Sequence, residues 1–583
     1  MNRLTTTPNQ VPTRQIFRCV AAAAVLQWLS QPPLALAPVA AIAIVPWLMI
    51  ISISNAPSRR GYWTIWGVGA IYWLVSLQGL RHAHPAIYVG WFALAAYLSV
   101  YGVLFVAITR RMIDRHIPIW IAAPVSWVGL ECVRNYFATG ISAIMLGHTM
   151  ADVAMMTQIA DTFGTYGVSF VLVSINVAAF TALNAWRRRN DESSSVHAPW
   201  VMSLLVAAIL TVATLIYGTY RLGENRGDEL ATFALIQRSE HVEYVPDEER
   251  EIRIFNNYVR QSLQAVSAAQ RDVDAIVWPE SMLSGGRAWM IADKDATPPE
   301  QFGGSLDEFQ LAIDYQQTSF LTRIQDVQQA LAAASPDHKV PHLIGGCGVV
   351  RYRDIPHAYS GIVHVDSDGE LADWYGKTHL VMLGEYVPLV QWIPGLQSIL
   401  PPGLGLATGA GPKRMMVGET SFAPNICIET AVERVTVNHL SQLHAQSKLP
   451  DAVITVTNDG WFDDSSVIDH HLRCAQLVAV GCRRPVLSAA NNGPTAWIDS
   501  NGKIVESLAT GSDGAVIATP LKDPRISNYL FIGDWPARLL ALISLILLVD
   551  AFGCWWRQRR ARRSGAGPSS LGVRDEPLGT SET

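Results

Sequence analysis

The stretch F-A-P-N-I-C-I-E-T, residues 422–430, decides how this chain is read. Its opening residues form a short apolar run of the kind that makes a buried strand. The run stops at Cys427, which is followed by Ile428 and Glu429. A strand end presents a side chain at a turn where backbone N–H groups lie close, which suits a nucleophile. A free cysteine is more often inert packing, so the stretch gains meaning only from the rest of the chain.

Two other polar residues end apolar runs in the same manner. Glu280 closes D-A-I-V-W-P-E, and Lys377 opens the polar part of W-Y-G-K-T-H-L-V-M-L-G-E-Y-V-P. Taken singly, a strand-end glutamate is usually a helix cap and a loop lysine is usually solvated. Taken with Cys427 they form a complementary set. A thiol with an ordinary pKa of about 8.5 needs a base or a nearby cation to become nucleophilic, and a developing oxyanion needs a fixed donor. Glu280 supplies the first and Lys377 the second.

Around these residues the sequence predicts strands at 231–237, 275–278, 342–347, 360–365, 421–426, 452–457, 486–490 and 495–499, with helices at 248–269, 306–334 and 468–481. Strands alternating with helices predict α/β layering, and the pair flanking Asn491-Asn492-Gly493 predicts an antiparallel hairpin within it. This soluble unit is expected to run from 229 to 520.

The remainder is of another kind. Half of the 583 residues are hydrophobic and 16% are charged, against about 25% charged in soluble domains. Apolar spans near the ~20 residues needed to cross hydrocarbon fall at 17–31, 34–53, 62–80, 88–109, 117–134, 160–185 and 199–219, giving a bundle over 1–222. An eighth span is expected at 537–556. Arg14 and Arg18, Arg59 and Arg60, Arg110, Arg111 and Arg115, and Arg187, Arg188 and Arg189 all fall on one side of such a bundle, and Arg557 to Arg563 return to it. By the positive-inside rule that side is the cytoplasm, which leaves 229–520 outside the inner membrane. The Ser/Gly/Pro-rich tail 564–583 is expected to be disordered. A net charge of −5 argues against a nucleic-acid partner, and seven cysteines without a C-x-x-C pair indicate neither a disulfide framework nor a zinc site.

W-P-E-S, Y-G-K-T-H-L-V-M-L-G-E-Y-V-P, N-I-C-I-E and T-N-D-G-W-F together resemble the nitrilase superfamily and its Glu-Lys-Cys triad. With the spans on either side, the whole chain except its tail resembles the bacterial apolipoprotein N-acyltransferase family. The resemblance implies a multi-span helical bundle carrying an αββα sandwich on the periplasmic face of the bacterial inner membrane. It implies Glu280 as general base, Lys377 as oxyanion donor and Cys427 as nucleophile. Glu385 and Glu429 are implied as supporting carboxylates, Ile428 as the oxyanion N–H, and Trp461 as a pocket aromatic. It implies transfer of a fatty acyl chain from a membrane phospholipid, through a cysteine thioester, to the amine of a diacylglyceryl-cysteine on an apolipoprotein. No metal or organic cofactor is required by that chemistry. The chain departs from the family's usual pattern at Ile428, at Tyr359 and at Val478 and Gly481.

Two other readings remain open. A membrane-tethered amidase or nitrilase would give the same thioester to water and break a C–N bond, and a non-catalytic lipoprotein-binding module would need none of the three residues. His379, His470 and His471 lack a third ligand at metal spacing, and His471 is expected to be a core histidine. Cys347, Cys474 and Cys482 are expected to pack. The Gly-rich run 403–411 is expected to be a mobile loop.

Overall fold

The computed structural model describes residues 12–83, 87–188, 198–243, 247–334, 339–382, 384–386 and 405–563. Arg189 and the tail from 564 lie outside the described residues.

Among the described residues, seven long helices build the bundle: Thr13–Ser30, Arg59–Ser76, Ile87–Asp114, Ile119–Tyr136, Ala160–Arg188, Ala198–Gly223 and Trp535–Arg563. Among the described residues, four of them are long and apolar enough to cross a membrane: those starting at Ile87, Ala160, Ala198 and Trp535. The span expected at 34–53 is not one helix. It is a five-residue 3-10 helix, Ala37–Ala41, followed by the short α-helix Val45–Ile51. Pro38 and Pro46 sit at the start of these pieces, where proline is tolerated but cannot continue a preceding helix. The freed backbone is satisfied by Asn176, whose Oδ1 accepts from Ile44 N–H at 2.8 Å and whose Nδ2 donates to Ala40 O at 2.8 Å. A break inside an apolar bundle demands such partners, because no water is there to supply them.

Among its described residues the soluble unit contains thirteen strands: β1 Phe233–Gln237, β2 Ala275–Trp278, β3 Trp289–Ala292, β4 His342–Tyr352, β5 Pro356–Val365, β6 Leu371–Gly376, β7 Met415–Val417, β8 Thr420–Ile426, β9 Ala452–Asn458, β10 Val486–Asn491, β11 Ala496–Ile498, β12 Ile504–Ser507 and β13 Gly514–Ala518. One sheet has the order β13-β1-β2-β4-β5-β6, with β3 added beside β4, and the other the order β12-β11-β10-β9-β8-β7. In each, three parallel strands (β1, β2, β4; β8, β9, β10) continue into two antiparallel ones. The expected hairpin across Asn491–Gly493 is the β10–β11 pair.

The inner faces of the sheets pack on each other through Phe233, Leu235, Val277, Ile344, Phe422, Ile454 and Leu487, all fully buried. Helices Glu248–Ala268 and Leu306–Ala334 cover the outer face of the first sheet, and Glu433–Ala445 with Ser466–Cys482 cover that of the second. The result is four layers, α-β-β-α, with strands buried on both sides. This accounts for their near-continuous apolar runs in sequence.

Candidate active site

Cys427 sits where β8 stops. Its N–H still donates to Val456 O on β9 at 2.9 Å, and the short helix Ile428–Ala431 begins at once. The turn forces Cys427 to φ +49°, a left-handed conformation that a non-glycine residue adopts only when its surroundings insist. Two groups hold it. Thr430 N–H and His471 Nε2 both donate to Cys427 O, each at 3.1 Å.

Glu280 follows β2 by two residues. Its loop is pressed against β4, where Leu283 N–H donates to Gly346 O at 2.9 Å. A side chain at position 346 would come within 2.3 Å of the Glu280 Cα, so only glycine permits this approach. Lys377 follows β6, its N–H donating to Ser360 O at 2.9 Å. Its ammonium is 1% exposed and lies 2.6 Å from Glu385 Oε1 and 3.5 Å from Glu280 Oε1. Ser360 Oγ donates to Glu280 Oε1 at 3.2 Å.

Both carboxylate oxygens of Glu429 are engaged by hydrogen bonds. It staples the lysine loop to the cysteine turn: Oε1 accepts from Thr378 N–H (2.7 Å), Thr378 Oγ (2.5 Å), Tyr375 OH (2.9 Å) and His379 N–H (3.2 Å), and Oε2 accepts from Ile426 N–H (2.8 Å). Glu385 plays the matching part around Lys377, with Oε2 accepting from Val381 N–H at 2.8 Å. Ile428 is half-buried directly after the thiol, and Trp461 is half-buried in the 3-10 turn Asp459–Phe462 that ends β9.

The charges shape one another. Burial pushes the Cys427 thiol well above its ordinary range and the Glu280 charge adds to this, while Lys377 opposes it. Burial alone would drive Lys377 toward neutrality, yet the charges of Glu280 and Glu385 hold it above its usual value and protonated. Burial raises Glu429, against the pull of its hydrogen bonds from Thr378 and Ile426. The resting site is therefore a protonated thiol beside a fixed cation and carboxylates.

Two expectations change. His471 is half-buried, and it is part of the site rather than of an apolar core: besides Cys427 O it meets Asp459 Oδ1 at 3.5 Å. Burial would lower its pKa, but the bond and charge of Asp459, the Cys427 carbonyl and the Glu280 charge lift it. The described part of the Gly-rich run is tied down by backbone bonds. Gly405 and Leu406 N–H donate to Glu385 O, Ala407 N–H to Ala358 O and Gly409 N–H to Lys377 O. It wraps the lysine loop instead of swinging free. Residues 403 and 404 lie outside the described residues.

Among the described residues, one cluster has metal-ligand composition: buried His148, Glu433 and Cys474, where bundle meets sandwich. Met145 N–H donates to His148 Nδ1 at 3.0 Å, so the ring proton is on Nε2, where it is donated to Glu433 Oε1 at 2.6 Å. A protonated nitrogen cannot ligate a metal. The trio is a hydrogen-bonded joint, and Cys474 packs there as expected.

The αββα sandwich sets the class: residues 232–521 match the family model described as "Carbon-nitrogen hydrolase". Residues 23–178 match a second, "Apolipoprotein N-acyltransferase N-terminal domain". A protein named apolipoprotein N-acyltransferase from Rhodopirellula baltica is 46% identical over 570 residues, 94% of this chain and 99% of that one. One of the same name from Geobacter metallireducens is 27% identical over 85% of this chain and 87% of its own. A solved amidase from Nesterenkonia sp. is similar over 54% of this chain and 97% of its own, at 13% identity and TM-score 0.33. The chain belongs to the apolipoprotein N-acyltransferase family.

Proposed function

We propose that this protein transfers a fatty acyl chain from a membrane phospholipid to the N-terminal amine of a diacylglyceryl-cysteine on an apolipoprotein, with Glu280, Lys377 and Cys427 as its catalytic residues. The observation that carries the reading is the convergence of these three on one buried point, mounted on a membrane bundle. Cys427 Sγ attacks the ester carbonyl as Glu280 takes the thiol proton. Concerted transfer suits a thiol whose pKa is raised. The oxyanion forms against Lys377 Nζ, which Glu385 orients, and the N–H of Ile428. Collapse expels a lysophospholipid alkoxide, which takes the proton from Glu280, and leaves a thioester. The acceptor amine then attacks the thioester, Glu280 receives its proton, the amide forms, and the cysteine thiolate is reprotonated. Trp461 and Ile428 shield the thioester from water.

Membrane association follows from the apolar helices; we place the sandwich on the periplasmic face of the inner membrane. Helix Ile87–Asp114 supports this. Near its start, His82 meets Asp463 of the sandwich at 3.4 Å, and at its far end Arg111 and Arg115 pair with Asp550 at 2.6 and 2.7 Å. The arginine-rich end thus lies away from the sandwich, as the positive-inside rule requires of a periplasmic domain. Domain limits of 1–222, 229–520 and 537–556 are proposed on the same basis.

The test is mass spectrometry of purified protein mixed with phospholipid. One fatty-acyl mass, labile to neutral hydroxylamine, is expected on the Cys427 peptide. It should persist in buffer and discharge only when a diacylglyceryl lipopeptide with a free amine is added. Decay in buffer as fast as with the amine would identify a hydrolase instead.

A further inference from the structure

A cavity inside the bundle, distinct from the Cys427 site, is lined entirely by residues between 20 and 146. It offers about 90 Å³ to the centres of water-sized molecules, where one water needs only ~10–15 Å³. Its wall carries four buried polar side chains, Gln31, Trp47, Glu131 and Arg134, each at most 6% exposed. In each, one atom has no hydrogen-bond partner among the described residues: Gln31 Oε1, Trp47 Nε1, Glu131 Oε2 and Arg134 Nε.

Neighbouring polar atoms of three of these side chains are committed. Gln31 Nε2 donates to Met145 O at 3.0 Å, Glu131 Oε1 accepts from Trp127 Nε1 at 3.0 Å and Leu146 N–H at 2.9 Å, and Arg134 Nη2 donates to Ala143 O at 3.3 Å. The Arg134 guanidinium also lies 5.4 Å from the centre of the Trp73 ring. Neither Glu131 nor Arg134 forms an ion pair with any described residue, although they stand three positions apart on one helix. Buried opposite charges that decline each other are costly inside an apolar bundle unless something else neutralises both.

The free atoms specify that something. Two are acceptors, one of them anionic, and two are donors, one of them cationic; the remaining wall is largely aromatic and aliphatic, including Tyr72, Tyr101 and Phe105. Water can meet the hydrogen bonds, but a zwitterion also sets an opposite charge directly against each of the two. We infer that the cavity binds the headgroup of a zwitterionic lipid, its ammonium toward Glu131 and Gln31 and its phosphate toward Arg134 and Trp47. Positions i and i+3 on a helix set Cβ atoms about 5–6 Å apart, comparable to an ammonium and a phosphate joined by two carbons. A neutral polyol would leave the charges unmet, and a simple anion would meet only Arg134.

The test uses full-length Cys427→Ala protein in phosphatidylglycerol vesicles, with a trace of phosphatidylethanolamine carrying a photoactivatable diazirine beside its headgroup. Label is expected on peptides spanning 45–51 and 119–136. Unlabelled phosphatidylethanolamine should reduce it at least ten-fold, while extra phosphatidylglycerol and water-soluble phosphoethanolamine should not. Glu131→Gln, which keeps the bonds from Trp127 and Leu146, and Arg134→Gln should each reduce labelling at least ten-fold. Trp47→Phe, which removes one N–H only, should reduce it two- to five-fold and guards against a charge variant that fails to fold. Label confined to 229–520, or undiminished in all three variants, would overturn the site. Equal competition by phosphatidylglycerol would overturn the zwitterion, and equal competition by phosphoethanolamine would overturn the lipid. Because Cys427 is absent from the test protein, none of these outcomes bears on the thioester reading.

Discussion

Two of the buried charge clusters among the described residues are built on opposite plans. At the seam between bundle and sandwich, Arg483 is fully buried and every arm is engaged. Nε and Nη2 donate to Asp161 Oδ2 at 2.9 and 2.7 Å, Nη1 donates to Gln158 Oε1 at 2.6 Å and to Asn501 Oδ1 at 3.1 Å. Arg525 beside it grips Asp523 with two parallel bonds of 2.8 and 2.6 Å. In the candidate active site the same inventory is left open. Lys377 makes one tight bond to Glu385, stands off from Glu280 at 3.5 Å, and shares the space with a thiol. A saturated guanidinium network has nothing left to offer a substrate, whereas an ammonium with a spare donor does. Closure makes a joint, and an open valence makes a site.

The sharpest way to break this contrast is at the thiol. Cys427→Ala should lower acyl transfer by about 10⁴-fold or more, as removal of a nucleophile does, with the thermal unfolding temperature held, since the residue contributes no charge to the cluster. Lys377→Met comes next. It should cost about 10²–10³-fold through the lost oxyanion donor and also about 3–5 kcal/mol of stability, because two carboxylates lose their buried cation. Lys377→Met with Glu385→Gln should recover stability without activity. Iodoacetamide should modify Cys427 more slowly in Lys377→Met at neutral pH, since the lysine is what pulls the thiol pKa down and so sets the thiolate fraction there.

The seam predicts the reverse pattern. Arg483→Met should cost about 1–3 kcal/mol, because Gln158 and Asn501 lose their buried donor while Asp161 keeps Arg221 at 2.7 Å, read as a fall in unfolding temperature. The protein that stays folded should keep its turnover, and a large loss of turnover at full stability would show that the joint takes part in catalysis.

How much of this was legible in the sequence follows from which contacts are local. Glu280, Lys377 and Cys427 each end an apolar run, so a buried strand meeting a polar residue marked them without knowledge of the partner loop. The family resemblance gave them roles. The part played by Glu429 could not be read: its partners at Tyr375–His379 lie some fifty positions away and meet it only because the two sheets face each other. His471 looked like a core histidine because its helix is apolar on that face. It touches the site across 44 positions, through a carbonyl that carries no sequence signal. Strands β7 and β12 escaped because they are short edge strands with little apolar alternation, and the break at Ala37–Ile51 escaped because the span as a whole is apolar enough to cross.

The smallest expected effect lies at His471, where the two plans meet: a half-buried side chain paired with Asp459, whose other ring nitrogen steadies the nucleophile's turn. His471→Phe removes the Nε2 bond to Cys427 O, but Thr430 N–H still reaches that carbonyl. The cost should be that of one buried hydrogen bond, about 1–2 kcal/mol, or roughly 5- to 30-fold in acylation rate. His471→Gln, which retains a donor, should recover much of it. A purely packing role would be served better by Phe than by Gln. The pH dependence gives an independent readout. Because its folded-state pKa is raised by Asp459, the Cys427 carbonyl and Glu280, His471 contributes stability that is fully present below the unfolded value of about 6.5 and is lost as pH rises through the folded value. The unfolding temperature of the parent protein should therefore exceed that of His471→Phe by more at pH 6 than at pH 9. An offset that stays constant across that range would remove the charged pair from the site and leave only the hydrogen bond.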